Sequence, residues 1–164
     1  MKFQYLLYIY SLFTLSIYSQ TKIDTILKAS NKASIEYIYI KEISSNKLYT
    51  FLDTRKKSEF EVSHIKNAIW VGYTNFKVNK VKKRITDKNT PIIVYCSIGI
   101  RSEDIGEKLI RLGYTNVRNL YGGIFEWKNN NLPVYNNNNV ETQKVHAYNQ
   151  QWGKLLTKGE KVYN

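Results

Sequence analysis

The chain has 164 residues, 25 Lys and Arg against 13 Asp and Glu, and a single cysteine. That length gives room for one domain with extensions and a core that needs no cross-links, and one cysteine excludes internal disulfides and any two-cysteine redox relay. A net charge of +12 favours small anionic partners, but no nucleic-acid motif accompanies it, so the lysines read as a solvated surface in a chain rich in Asn, Ile, Lys and Tyr.

Residues 1–19 have the order of an export signal: Lys2 at the start, an apolar run from Leu6 to Ile17, and Ile17-Tyr18-Ser19 ahead of Gln20 as a cleavage site. This predicts a periplasmic or secreted protein with no stable membrane anchor after cleavage. The alternative is an inner-membrane anchor through residues 3–21, which carry no charge and approach the roughly 20 residues needed to span a bilayer. Gln4, Ser11, Thr14 and Ser16 weigh against it, and no cysteine near residue 20 offers a site for a lipid.

Residues 20–33 are polar and weakly helical, a linker or docking segment. Strand-like and helix-like pieces then alternate. Ser34 to Ile38 predicts a short strand, Ile40 to Ser44 a turn of helix, Lys47 to Asp53 a β-rich run and Ala68 to Val71 a buried strand. From Phe76 to Ile85, Val78, Val81 and Ile85 fall near helical spacing with lysines opposite. Pro91 opens a strand from Ile92 to Tyr95, and Ile105, Leu109, Ile110 and Leu112 then repeat at helical intervals up to the stop at Gly113. Val117 to Leu120 is the last strand, and Gly122-Gly123 turns into a short helix with Phe125 and Trp127 as core. This alternation predicts an α/β fold with a mostly parallel sheet covered on both faces. The Asn-rich residues 136–139 open a C-terminal extension, expected to pack back as a helix through Val145, Trp152, Leu155 and Leu156, with His146 exposed.

Cys96 stands where the strand from Ile92 ends. A strand turning through Gly99 into a helix near Arg101 aims backbone N–H groups and the positive helix end at one point. Such a cradle can bring a cysteine from a pKa of about 8.5 toward roughly 3.5–7.5, making it a nucleophile at neutral pH. The competing reading is an inert core cysteine behind Ile92-Ile93-Val94-Tyr95. His64 and His146 are too separated from each other and from Cys96 to suggest a metal site, and no cofactor is called for.

Four segments, in order, resemble the rhodanese-like (sulfurtransferase) domain family. They are Leu52-Asp53-Thr54-Arg55 with Glu59-Phe60, then His64-Ile65-Lys66-Asn67-Ala68-Ile69, then the Cys-x-x-Gly-x-Arg-Ser loop from Cys96 to Ser102. The fourth is Leu112-Gly113-Tyr114 running into Leu120-Tyr121-Gly122-Gly123 and Leu132-Pro133-Val134. Ser63 and Asn67 stand where the family usually has glycine. The resemblance divides the chain into a signal peptide (1–19), a linker or docking segment (20–33), a rhodanese-like domain (34–135) and an Asn-rich linker with a C-terminal extension (136–164). It implies a five-stranded, mostly parallel sheet flanked by helices on both faces, with the active loop at the C-terminal end of a central strand.

The resemblance also implies an exported sulfurtransferase. Cys96 would take a sulfane sulfur from thiosulfate, a polysulfide or a persulfide, a protein persulfide included, and pass it to a thiol or cyanide. Ser97, Ile98, Gly99, Ile100, Arg101 and Ser102 would form the substrate-binding loop, with Asp53, Arg55 and Glu59 supporting it. Arg101 would turn inward to Asp53 with Glu59 as second partner, and His64 would be a hydrogen-bonded structural histidine. The alternative is a rhodanese-like binding or sensing module with negligible turnover. Phosphatase or arsenate reductase chemistry fits less well, because related phosphatases place arginine after five intervening residues and this chain has only Ser97 to Ile100 before Arg101. Ser97, Ile98 and Ile100 include no cation, which predicts weak thiosulfate binding, with Ile98 and Ile100 as an apolar rim.

Overall fold

The computed structural model describes residues 22–43 and 48–163, so the expected export signal lies outside the described residues. No described helix is long and apolar enough to cross a membrane. Five parallel strands form the central sheet: β1 (Tyr37–Ile38), β2 (Thr50–Asp53), β3 (Ile69–Trp70), β4 (Ile92–Tyr95) and β5 (Val117–Leu120), in the order β1-β5-β4-β2-β3. The expected α/β class and parallel sheet are therefore present.

The central strand β4 explains how two cores form from one run of apolar residues. All four of its side chains are buried, as a parallel strand covered on both faces requires. Alternate residues point to opposite faces. Ile93 and Tyr95 join a cluster with Ile23, Leu27, Phe125 and Leu156, while Ile92 and Val94 join one with Ile35, Val81, Ile105 and Leu109. The first cluster takes in helix α1 (residues 22–30) and the second is closed by α3 (Val78–Arg84) and α4 (Ile100–Arg111).

Several elements depart from the sequence expectation. A helix, α2 (Lys57–Val62), follows β2 where only a turn was expected, since among its six residues Phe60 is the one buried apolar side chain and no helical period is visible. Strand β3 is half-buried rather than buried, because it lies at the sheet edge. Asn67 occupies a left-handed conformation (φ 60°) that asparagine tolerates, which accounts for its standing in a glycine's place.

The C-terminal extension folds mostly as β-structure instead of a helix. Beyond α5 (Gly123–Asn129), β6 (Val134–Tyr135) pairs antiparallel with β7 (Glu141–Thr142), and β8 (Lys144–His146) pairs parallel with β9 (Glu160–Val162). Only α6 (Gln150–Gly153) is helical, and Gly159 at φ 87° turns the chain into β9. Val145, Leu155 and Leu156 are buried in the first cluster, and Asn129 fixes the segment by donating to Leu155 O and accepting from the N–H groups of Thr157 and Lys158. His146 is 2% exposed, correcting the expectation of a surface histidine; the packing of β8 carries it inside.

Candidate active site

Strand β4 delivers Cys96 to the C-terminal edge of the sheet, directly before the amino end of α4. Gly99 makes the turn in a left-handed conformation (φ 111°), and its N–H donates to Cys96 Sγ at 3.1 Å. Burial pushes the thiol pKa up, but the Arg101 charge, the Ser102 hydroxyl and the N–H groups of Gly99 and Ser102 outweigh it, and the net direction is below the ordinary value. Ser102 assists the thiolate with both its hydroxyl and its N–H, and the hydroxyl also lies 2.8 Å from Asn119 Oδ1.

The loop is clamped from below by groups that the sequence reading missed. Ile124 N–H donates to Cys96 O at 3.0 Å and Phe125 N–H to Ser97 O at 3.1 Å, so the first turn of α5 holds two loop carbonyls. This approach requires Gly123, where a Cβ would lie 2.4 Å from Cys96 O and 2.7 Å from Ser97 O. Gly99 O accepts from Asn119 Nδ2 at 2.8 Å and from Asn31 Nδ2 at 2.9 Å. A polar residue at a buried position of β5 was the available signal for Asn119, since buried amides are held by partners.

The supporting charges sort into two pairs, which corrects the expected partner of Arg101. Arg55 closes on Asp53, with Nε 3.0 Å from Oδ1 and Nη2 2.6 Å from Oδ2, and Arg55 N–H also donates to Oδ1 at 2.9 Å. Only two residues apart, they fill the carboxylate before Arg101 can reach it. Arg101 instead takes Glu59, and Glu59 also accepts from Lys56 N–H at 2.8 Å, which ties the amino end of α2 to the active loop. His64 is structural as expected: Nδ1 lies 3.0 Å from Phe60 O, so that nitrogen carries the proton, and the ring stacks on Phe60 at 3.9 Å.

Cys96 is only 1% exposed and forms the floor of a pocket of about 170 Å³. Ile98 and Ile100 line it, but Ile98 is buried and forms wall rather than rim. Arg101 also lines it, and the remaining wall comes from Tyr148 and Trp152 of the C-terminal extension, which the sequence reading did not bring to the site. The Arg101 guanidinium lies 5.4 Å from the Tyr148 ring centre.

Residues 38–130, more than half of the chain, match the family model described as a rhodanese-like domain. The chain belongs to the rhodanese-like domain family. The domain is 29% identical over 94 residues to the thiosulfate sulfurtransferase GlpE of Coxiella burnetii, an alignment covering 57% of this chain and 85% of that one. It is 36% identical over 95 residues to the tRNA uridine(34) hydroxylase of Hamiltonella defensa, covering 52% of this chain and 26% of the relative, so the chain spans about a quarter of that protein's length. A thiosulfate sulfurtransferase structure from Pseudomonas aeruginosa superposes with a TM-score of 0.59 at 18% identity, over 86% of this chain and 26% of that one, a likeness of fold alone. Relatives of this rhodanese-like domain thus include sulfurtransferases.

Proposed function

We propose that this rhodanese-like domain moves a sulfane sulfur from a donor to a thiol or cyanide acceptor through a persulfide on Cys96. The observation that carries the reading is the Cys96 Sγ at the amino end of α4, with the Gly99 N–H on it and Arg101 fixed beside it. The thiolate attacks the outer sulfur of the donor, whose S–S bond breaks and whose remainder leaves with the electron pair, as sulfite or a shortened polysulfide. An acceptor thiolate then attacks the outer sulfur of the Cys96 persulfide, and the Sγ–S electron pair returns to Cys96. The charge of Arg101 is balanced by Glu59, and Ile98, Ile100 and Trp152 are apolar, so the pocket favours a soft sulfur chain over a strongly hydrated dianion such as thiosulfate.

Mass spectrometry of the protein after polysulfide treatment tests the step: one added sulfur on Cys96, lost on adding thiol and absent in Cys96→Ser, is the expected result. The burial of Cys96 behind Tyr148 and Trp152 favours a second reading, a binding or sensing module. That reading gains if no donor gives Cys96-dependent product. Export through residues 1–19 belongs to the same proposal and rests on the composition of that segment. Recovery of protein beginning near Gln20 from the periplasm or medium supports export; retention of residues 1–19 in the membrane fraction supports the anchor.

A further inference from the structure

A second cavity adjoins the Cys96 pocket. It is a cleft of about 530 Å³, the size of a small-molecule site, and it shares Arg101 and Tyr148 with the smaller pocket, so the two spaces meet at those side chains. Its wall carries Lys56, Lys57 and Lys77, all exposed, together with Arg101, whose charge Glu59 balances, and no Asp or Glu among the described lining residues. Lys57 is partly neutralised by Glu61 at 3.3 Å, an exposed pair. Arg55 also lines the cleft, and although Nε and Nη2 are taken by Asp53 and Ser63 O, its buried Nη1 has no hydrogen-bond partner. A buried guanidinium N–H left unsatisfied, on a residue of the same cleft wall as three lysines, suits a ligand that brings acceptor oxygens.

Tyr148 stands between the two spaces. Its backbone is left-handed (φ 66°), unusual for an aromatic residue, and is held there by its N–H donating to His146 Nδ1 at 3.1 Å. Arg101 and Lys56 both lie against its ring, at 5.4 and 6.0 Å from the centre. A reactant that reaches the sulfur therefore has its far end beside the lysines. Thiosulfate or cyanide is too small to occupy both spaces.

We propose that the acceptor is a small thiol carrying two or more carboxylate or phosphate groups, whose sulfur enters the Cys96 pocket while its anionic body lies among Lys56, Lys57 and Lys77. This rests on the persulfide reading above. In the transfer, the acceptor thiolate forms a bond to the outer persulfide sulfur, the Sγ–S bond breaks, and its electron pair stays on Cys96; no outside oxidant or reductant is consumed.

The test compares three acceptors under saturating polysulfide: glutathione for carboxylates, coenzyme A for phosphates and 2-mercaptoethanol as the neutral thiol. At low salt, kcat/KM for at least one anionic thiol should exceed that for the neutral thiol by about tenfold, and the advantage should shrink as salt screens the lysines. In the triple variant Lys56→Gln, Lys57→Gln, Lys77→Gln the ratio of anionic to neutral kcat/KM should fall about tenfold, roughly two- to fivefold per exposed charge. Which of glutathione and coenzyme A keeps the larger ratio assigns the anionic group. Equal, salt-insensitive kcat/KM for all three thiols overturns the proposal. If no thiol yields Cys96-dependent product, the persulfide reading fails instead, and calorimetric binding of S-methylglutathione and of coenzyme A disulfide then judges the cleft: salt-dependent binding lost in the triple variant supports it, and no binding overturns it.

Discussion

Arg101 closes on Glu59 with both terminal nitrogens, Nη1 to Oε2 at 2.7 Å and Nη2 to Oε1 at 2.8 Å, and Nη2 also donates to Ser97 Oγ at 3.0 Å. Through these bonds helix α2 is tied to the loop that carries Cys96, the proposed nucleophile.

Acid should break this link. Burial alone would raise the Glu59 pKa, but the hydrogen bonds and charge of Arg101, with the charge of Arg55 and the Lys56 N–H, bring it from 4.5 down to about 2. A carboxylate depressed in the folded state contributes stability that is complete above its unfolded value and lost as pH falls through its folded value. Urea unfolding should therefore weaken between about pH 4.5 and 2 by about 3 kcal/mol from this group, and Glu59→Gln should lose about 3 kcal/mol at neutral pH with that part of the acid dependence gone.

The cysteine should react as a thiolate below the ordinary thiol range. Its rate of alkylation by iodoacetamide should rise with pH to a midpoint lower than that of a free thiol. Removing the positive charge in Arg101→Met should shift that midpoint upward, because one of the groups that outweighs burial is gone. An unmoved midpoint would assign the depression to the Ser102 hydroxyl and the loop amides.

Gly123→Ala should disable the loop from a distance. Its Cβ would collide with the Cys96 and Ser97 carbonyls, and its φ of 54° is costly for alanine, about 1–3 kcal/mol before the clash is counted. Sulfur transfer should fall together with thermal stability. The same change at Gly113, where nothing lies within 4 Å, adds only the backbone strain and should leave transfer near wild type in protein that folds.

Asn119→Leu should take from Gly99 O the shorter of its two side-chain bonds, leaving Asn31, and from the Ser102 hydroxyl its amide acceptor, leaving the Cys96 sulfur. Each lost bond between buried groups that keep another partner costs about 0.5–1.5 kcal/mol, so stability should drop measurably in urea. The freed loop should also show a raised Cys96 alkylation midpoint, as the Gly99 N–H drifts from Sγ.

Trp152→Ala opens the wall over Cys96. Alkylation by a bulky maleimide should accelerate several-fold while alkylation by iodoacetamide changes less. Equal acceleration of both reagents would mean that the indole controls general loop mobility rather than the width of the entrance.

The parts legible in the sequence were those with strong local signals. Ile92-Ile93-Val94-Tyr95 reads as a buried strand, and β4 and β5 have the limits expected for them, because continuous apolar runs closed by turn residues leave little choice. The place of Cys96 at a strand-to-helix turn was legible for the same reason. What was missed depended on distant partners. The choice of Arg101 between Asp53 and Glu59 is decided by Arg55 folding back on its near neighbour. The coverage of the pocket by Tyr148 and Trp152 arises from β8 pairing with β9 fourteen or more residues away, which no local period encodes.

The family segment ends at residue 130, and the two aromatic walls of the sulfur pocket stand at 148 and 152. The loop that surrounds the sulfur and two of the residues that wall its pocket thus lie in separate stretches of the chain. Exchange of Tyr148 and Trp152, with Val145, Leu155 and Leu156 kept in the core, would change the aperture over Cys96 and leave the loop's own residues as they are.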